Sequence, residues 1–411
     1  MTRRYRLKVW GLLIAALPAA GTTNAYADDQ ITLYGIADAG IGYVSNSATV
    51  EAAGAAGRPA RLNGGSNLAF ASGTWNGNRW GLKGSEDLGG GMHAIFRLEN
   101  GFNIGTGALG QGGTEFGRHA YVGLSDERYG TFTLGRQYEP MIDMVGALGG
   151  NIALSEVAAH PGDIDNFDHS SRSNNSLKYQ SPTVGGFKLE GLYAPGGQAG
   201  SLPLQSSSGF GVQYAGGPLV WGVAYSHANN QKTGIGDGTI GSWVSTADSG
   251  FGSSINAGYA SARARDIIGT SATYEIGATI LGVNGSHTEY TPGLYSRFHR
   301  VEKFDAAGIF AMHSFSVALR AGIGYSFLHA NAPADNVSAA TYHQFNLSSF
   351  YRLTTATELY VLTGYQRALG STLDMYGNVI PATASVGDAA NGISSASNSQ
   401  FLMRVGMTHL F

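Results

Sequence analysis

The stretch Phe315-Ser-Val-Ala-Leu-Arg-Ala-Gly-Ile-Gly-Tyr-Ser-Phe327 decides the fold. Phe315, Val317, Leu319, Ala321, Ile323, Tyr325 and Phe327 share one parity, and Ser316, Ala318, Arg320, Gly322, Gly324 and Ser326 share the other. Successive side chains of a strand point to opposite faces, so this spacing predicts a strand with one apolar face and one polar or small face. The pattern recurs on both sides. Near the start, Ile31, Leu33, Ala37, Ala39, Ile41 and Tyr43 oppose Thr32, Tyr34 and Asp38; at the end, Phe401, Met403, Val405, Met407, His409 and Phe411 oppose Gln400, Arg404, Gly406 and Thr408. Between them, Leu177 and Tyr179 oppose Arg172, Asn174, Ser176, Lys178 and Gln180.

The connections alternate as well. Short turns are expected at 85–91, 125–130, 181–186, 216–218, 276–278, 312–314 and 354–355, with long stretches near 45–67, 103–115, 139–171, 195–208, 229–263, 291–300, 329–340 and 369–399. Strands counted between these breaks number about sixteen, each long enough to cross a membrane at a tilt. A soluble sandwich would bury both apolar faces in one core and has no reason to alternate short and long loops. A transmembrane barrel turns its apolar face to lipid, lines its interior with polar groups and keeps one set of turns short. The sequence therefore predicts an all-β, 16-stranded antiparallel transmembrane barrel formed by residues 28–411 as a single domain.

Composition agrees. Glycine accounts for 62 of 411 residues, charged residues for 13 %, and cysteine is absent, which excludes disulfide scaffolds and thiolate metal sites. Arg3, Arg4, Arg6 and Lys8 precede an apolar stretch from Val9 to Ala20, and Ala25-Tyr26-Ala27 supplies a small-x-small cleavage site. These three regions read as a cleaved signal peptide over residues 1–27 and place the chain in a cell envelope. Removing the leader leaves about seven more acidic than basic side chains, which excludes a general nucleic-acid binder.

Several segments carry a resemblance. They are Ile31-Thr-Leu-Tyr-Gly-Ile-Ala-Asp38, Arg79-Trp-Gly-Leu-Lys-Gly-Ser-Glu-Asp-Leu88, Phe96-Arg-Leu-Glu-Asn-Gly-Phe102 and Tyr121-Val-Gly-Leu124, followed by Leu134-Gly-Arg-Gln-Tyr138, Gly162-Asp-Ile-Asp-Asn166, Asn175-Ser-Leu-Lys-Tyr-Gln-Ser-Pro182 and Arg404-Val-Gly-Met-Thr-His-Leu-Phe411. In this order they resemble the general porins of Gram-negative outer membranes, most closely the β-proteobacterial type. The resemblance implies a homotrimer in outer-membrane lipid and lipopolysaccharide, passive diffusion of small hydrophilic solutes and ions, and a third external loop, about 139–171, folded into the lumen. Met141–Ala158 is apolar enough to pack inside a barrel, whereas 229–263 and 369–399, of similar length, are rich in glycine, serine and asparagine.

Parity selects the lumen charges. Trp80 and Leu82 take the lipid-facing side, so Arg79 and Lys83 face inward; Ala94, Phe96 and Leu98 likewise leave Arg97 and Glu99 inside. Arg172 and Lys178 are inward by the same count, and the resemblance adds Arg118, whose parity partners Ala120, Val122 and Leu124 are apolar. Facing this basic wall, the third loop offers Glu139, Asp143, Glu156, Asp163, Asp165 and Asp168, and Asp38 joins the acidic side with Glu99. Opposed charge walls filter ions and orient dipolar solutes.

Arg136 shares parity with Phe132, Leu134 and Tyr138, where a cation facing lipid costs about 2–4 kcal/mol. Either a neighbouring subunit covers it or a β-bulge turns it inward. Terminal Phe411, with His409, Met407 and Val405, resembles the signal read by the outer-membrane insertion machinery. Two G-x-G-x-x-G matches, at Gly105 and Gly236, are what chance supplies at this glycine content, and neither opens a helix. No G-x-S-x-G elbow, H-E-x-x-H pair or zinc-ligand spacing occurs, and Asp163, Asp165 and Asp168 lack the rest of a calcium loop, so no catalytic residue, metal or cofactor is expected. The expected function is a general, non-enzymatic diffusion channel; the alternatives are a substrate-selective channel of the same fold, or a barrel enzyme or adhesin.

Overall fold

A computed structural model describes residues 30–50, 62–231, 243, 250–387 and 394–411; the leader expected over 1–27 lies outside the described residues. In chain order the strands are β1 (Gln30–Val50), β2 (Leu62–Ser72), β3 (Arg79–Gly89), β4 (Met92–Gly101), β5 (His119–Asp126), β6 (Gly130–Gln137), β7 (Ser173–Gln180), β8 (Phe187–Ala194), β9 (Ser207–Gly216) and β10 (Leu219–Asn229). They continue as β11 (Ala264–Ile276), β12 (Thr279–Thr291), β13 (Glu302–Ser314), β14 (Leu319–Ala330), β15 (Thr341–Arg352), β16 (Thr357–Leu369), the short β17 (Ser371–Leu373) and β18 (Val379–Pro381), and β19 (Ser399–Leu410).

All pairings in the large, 17-stranded sheet are antiparallel, and β19 bonds both β16 and β1, so the sheet closes on itself. β2 and β3 lie end to end along one edge of β1, with Ala39 opposite Ser72 and Ile36 opposite Arg79. They are two halves of one stave, and the barrel has 16. The last residue completes the seam: the Gly35 N–H donates to the Phe411 carbonyl at 2.9 Å, and the Phe411 N–H donates back at 3.1 Å.

The outward parity read from the sequence is the lipid-facing one. Ile323, Ile41 and Val405 stand exposed on the outer surface, while Gly322, Ser326, Asp38 and Arg404 are buried or half-buried inside. The opening stretch needs one correction. β13 runs through 312–314, and the turn is at 315–318, where the Ser316 hydroxyl accepts the Ala318 and Leu319 N–H groups. Phe315 and Val317 extend the alternation by composition alone; they lie exposed on the turn. Likewise, much of the expected loop 45–67 is strand, because β1 continues to Val50 and β2 begins at Leu62.

The interior also departs from a simple polar lining. Inward side chains of β12–β15 include Tyr290, Phe304, Leu328 and Tyr342, all fully buried. They pack with Ile255 and Tyr259 from the loop before β11 and with Leu373 and Ala382 from the loop before β19. Tyr259 stacks on Tyr290 at 5.4 Å and meets Phe298 and Phe304 edge-on. This side of the lumen is a packed core, and open space remains along β3–β8 and beside β1, β2 and β19.

The connection between β6 and β7 turns into the lumen. It coils through short helical turns, including α1 (Gly150–Ala153), and packs successively against β9–β11 and β13–β16. Met141, Met144 and Val145 bury against Ala224 and Ile267 of the wall. Gly222 permits this approach, since a Cβ there would stand 1.9 Å from the Met144 carbonyl oxygen.

Candidate functional site

Two cavities of about 380 and 400 Å³ lie between the β3–β8 wall and the third loop, and both are lined by Arg79, Tyr138 and Asp143. These three residues stand where the two cavities adjoin. Tyr138 sits directly after β6 and organises its surroundings. Its hydroxyl accepts from Arg118 Nη2 at 2.8 Å, and its carbonyl accepts from Lys178 Nζ at 3.2 Å. His169 stacks on its ring at 5.4 Å, and the Arg172 guanidinium lies 5.5 Å from the ring centre.

Most cations of the wall are paired. Glu99, buried on β4, accepts from Arg97 at 2.5 Å, Arg118 at 2.8 Å and the Tyr34 hydroxyl at 2.8 Å. Lys178 lies 2.5 Å from Asp143 and 3.4 Å from Glu190. Arg79 differs. Its Nε donates to the Gly77 carbonyl at 2.9 Å, and among the described residues no carboxylate pairs with its guanidinium. Lys83 is exposed, with its Nζ 5.6 Å from the centre of the Tyr34 ring.

The acidic residues divide by environment. Asp143 and Glu156 line the passage, Glu156 accepting the Gly77 N–H at 3.1 Å, and Asp168 lines the same cavity. Asp163, Asp165 and Glu139 accept hydrogen bonds from the loop itself, and Asp165 also from β12. Asp163 accepts the Asp168 and Ser170 N–H groups, Glu139 accepts Asn166 Nδ2 at 2.6 Å, and Asp165 sits 2.6 Å from His160 Nδ1 and 2.5 Å from the Ser286 hydroxyl. Burial works against charge on His160, but the Asp165 carboxylate outweighs it and raises the imidazole above its ordinary value. Glu99 stands among the arginines it was expected to oppose. Asp38 faces neither wall: fully buried, it accepts the Thr74 and Asn76 N–H groups at 2.9 and 3.3 Å and the Tyr360 hydroxyl at 2.8 Å.

What Asp38 holds is the break between β2 and β3. Residues 73–78 leave the sheet and carry Trp75 into the lumen, where it packs on Phe350 at 4.6 Å. The sequence signal was the run Ser72-Gly-Thr-Trp-Asn-Gly-Asn78, turn residues inside what otherwise reads as strand. Arg118 and Arg172 both flank strands instead of lying within them, so parity does not apply to either. Arg136 stays in the outward row, opposite Ala120, although the β6–β7 register slips between Gly135 and Gln137. Its guanidinium donates to the Gly117 carbonyl at 2.8 Å and to Asn174 Oδ1 at 2.5 Å. Tyr138, Glu190, His169 and Trp75 were not singled out from the sequence.

The family description "Gram-negative porin" matches residues 13–371. The chain belongs to the Gram-negative porin family. The porin is 36 % identical over 250 residues to an outer membrane porin protein of Bordetella pertussis, covering 56 % of this chain and 62 % of that one. It is 33 % identical over 190 residues to outer membrane porin protein 32 of Delftia acidovorans, covering 44 % and 48 %. These matches thus span roughly half to three-fifths of the relatives' length. Among solved structures, an anion-selective porin from Comamonas acidovorans superposes with a TM-score of 0.67 at 22 % identity, over 93 % of this chain and all of that one, and shares the fold. The porin is thus an outer-membrane barrel, as its relatives are.

Proposed function

We propose that this porin forms a water-filled channel for passive diffusion of small hydrophilic solutes and ions, and that its narrow section favours anions. The observation that carries the reading is Arg79, whose guanidinium makes no ion pair among the described residues and lies at the junction of the two cavities. Its neighbours are arranged as paired groups: Glu99 serves two arginines, and Lys178 is shared between Asp143 and Glu190. A fixed, unpaired charge in a constriction raises the local concentration of its counter-ion. The fold neighbour's anion selectivity supports the same direction.

The reading is of a channel and not an enzyme, in keeping with relatives that are porins. We further assign a trimeric assembly, with Arg136 at the subunit interface, lipopolysaccharide around the remaining face, and Phe411, His409, Met407 and Val405 as the insertion signal. Reversal potential across a planar bilayer in a salt gradient tests the channel. An anion preference that falls markedly in Arg79→Ala is the expected result; a cation preference in the unsubstituted channel, or none, sinks the selectivity, and absence of conductance sinks the channel itself.

A further inference from the structure

The cavity between Trp75 and the third loop carries apolar surface where a water-filled barrel is ordinarily polar. Ile152, on α1, is 53 % exposed, and Trp75 is half-buried at the same cavity. An open isoleucine forgoes the stabilisation of burial. Trp75 is also fixed in place. Phe350 lies 4.6 Å and Tyr360 6.2 Å from its ring, the Arg320 guanidinium covers it at 5.2 Å, and Asp38 and Glu156 pin the backbone on either side of it. Placing it there required a break in a barrel stave.

Arg79, which makes no ion pair among the described residues, lines this same cavity. We propose that the cavity is a transit site for small monocarboxylates carrying an aromatic ring. The carboxylate takes Arg79, and the ring lies against Trp75 and Ile152. Its volume of about 400 Å³ lies within the range of small-molecule sites, about 300–1,000 Å³. Glu156, Asp143 and Asp168 line the cavity too, so a second negative charge on the solute meets repulsion and a single carboxylate is preferred. Aromatic contacts of this kind lengthen residence by about two- to tenfold over the same charge without a ring.

This inference rests on the anion reading of the passage, and the experiment separates the two. Current fluctuations of the full channel in a planar bilayer are recorded with benzoate, acetate or benzylammonium added to one side. Benzoate is expected to reside about two- to tenfold longer than acetate. Trp75→Ala and, separately, Ile152→Ser, an exposed position whose change leaves folding intact, are each expected to bring benzoate towards acetate. Equal residence of benzoate and acetate in an anion-selective channel overturns this inference alone. So does a benzoate-to-acetate ratio unmoved by both substitutions, or a longer residence for benzylammonium than for benzoate. A channel without anion preference overturns both readings.

Discussion

Glu99 sets the charge balance of the wall. It is buried, and it serves two guanidiniums, one of them, Arg118, buried with it. Removing one partner of a buried pair is costly, about 3–5 kcal/mol, because the other charge remains without compensation. Glu99→Gln is therefore expected to lower the temperature at which the barrel unfolds in detergent. The same change leaves Arg97 and Arg118 uncompensated beside Arg79, so anion preference in the reversal-potential measurement should rise. A fall in anion preference would mean that Glu99 acts only as scaffold. At the seam, Gly35 faces the opposite constraint: a Cβ there would lie 2.3 Å from the Phe411 ring and 2.8 Å from the Arg79 carbonyl oxygen. Gly35→Val should impair closure, seen as a loss of the folded, heat-modifiable band on electrophoresis.

Among elements, the third loop depends on a latch at His160. Its Nδ1 faces Asp165 at 2.6 Å and its Nε2 faces Asn284 Oδ1 at 2.7 Å, so the charged ring bonds both the loop and β12. Burial opposes that charge but Asp165 outweighs it, so the folded value is raised above 6.5. A raised value means the latch contributes fully below the unfolded value and is lost as pH rises through the folded one. Hydrogen exchange of residues 150–165, corrected for intrinsic rate, should show more protection below the ordinary imidazole value of 6.5 than well above it, and His160→Phe should abolish the difference. Little of this was legible in the sequence. Ile41, Ile323 and Val405 announced their faces because lipid tolerates only apolar side chains there. Asp163, Asp165 and Glu139 looked like lumen charges because their partners, backbone amides, His160 and Asn166, are chosen by the loop's own coiling. Asp38 looked the same for a different reason: the insert it caps has no periodicity to read.

At the scale of the whole molecule the barrel is lopsided. Inward Phe304, Tyr342 and Leu328 were unreadable as core from strand parity, since much of what covers them returns from loops distant in sequence, at Ile164, at Ile255 and Tyr259, and at Leu373 and Ala382. The walls differ in height too. β5, β6, β7 and β8 have 8 residues each, whereas β11, β12 and β13 have 13. A tilted strand needs about 9–11 residues to cross the hydrocarbon, so the β5–β8 wall alone is too short for lipid on its outer side. Arg136 stands on this wall, beside a row formed by Val122, Leu124 and Leu134 that is apolar and exposed in the single chain. A neighbouring subunit placed here removes both the mismatch and the cost of an arginine facing lipid. If this wall is the trimer contact, an added cation acts on assembly, whereas on the tall wall it acts on lipid contact alone, at about 2–4 kcal/mol. Val122→Arg should then yield folded barrels that run as monomers on native electrophoresis, while Val283→Arg, outward on β12, should still run as trimers. Trimers that survive Val122→Arg unchanged would place the contact on another face.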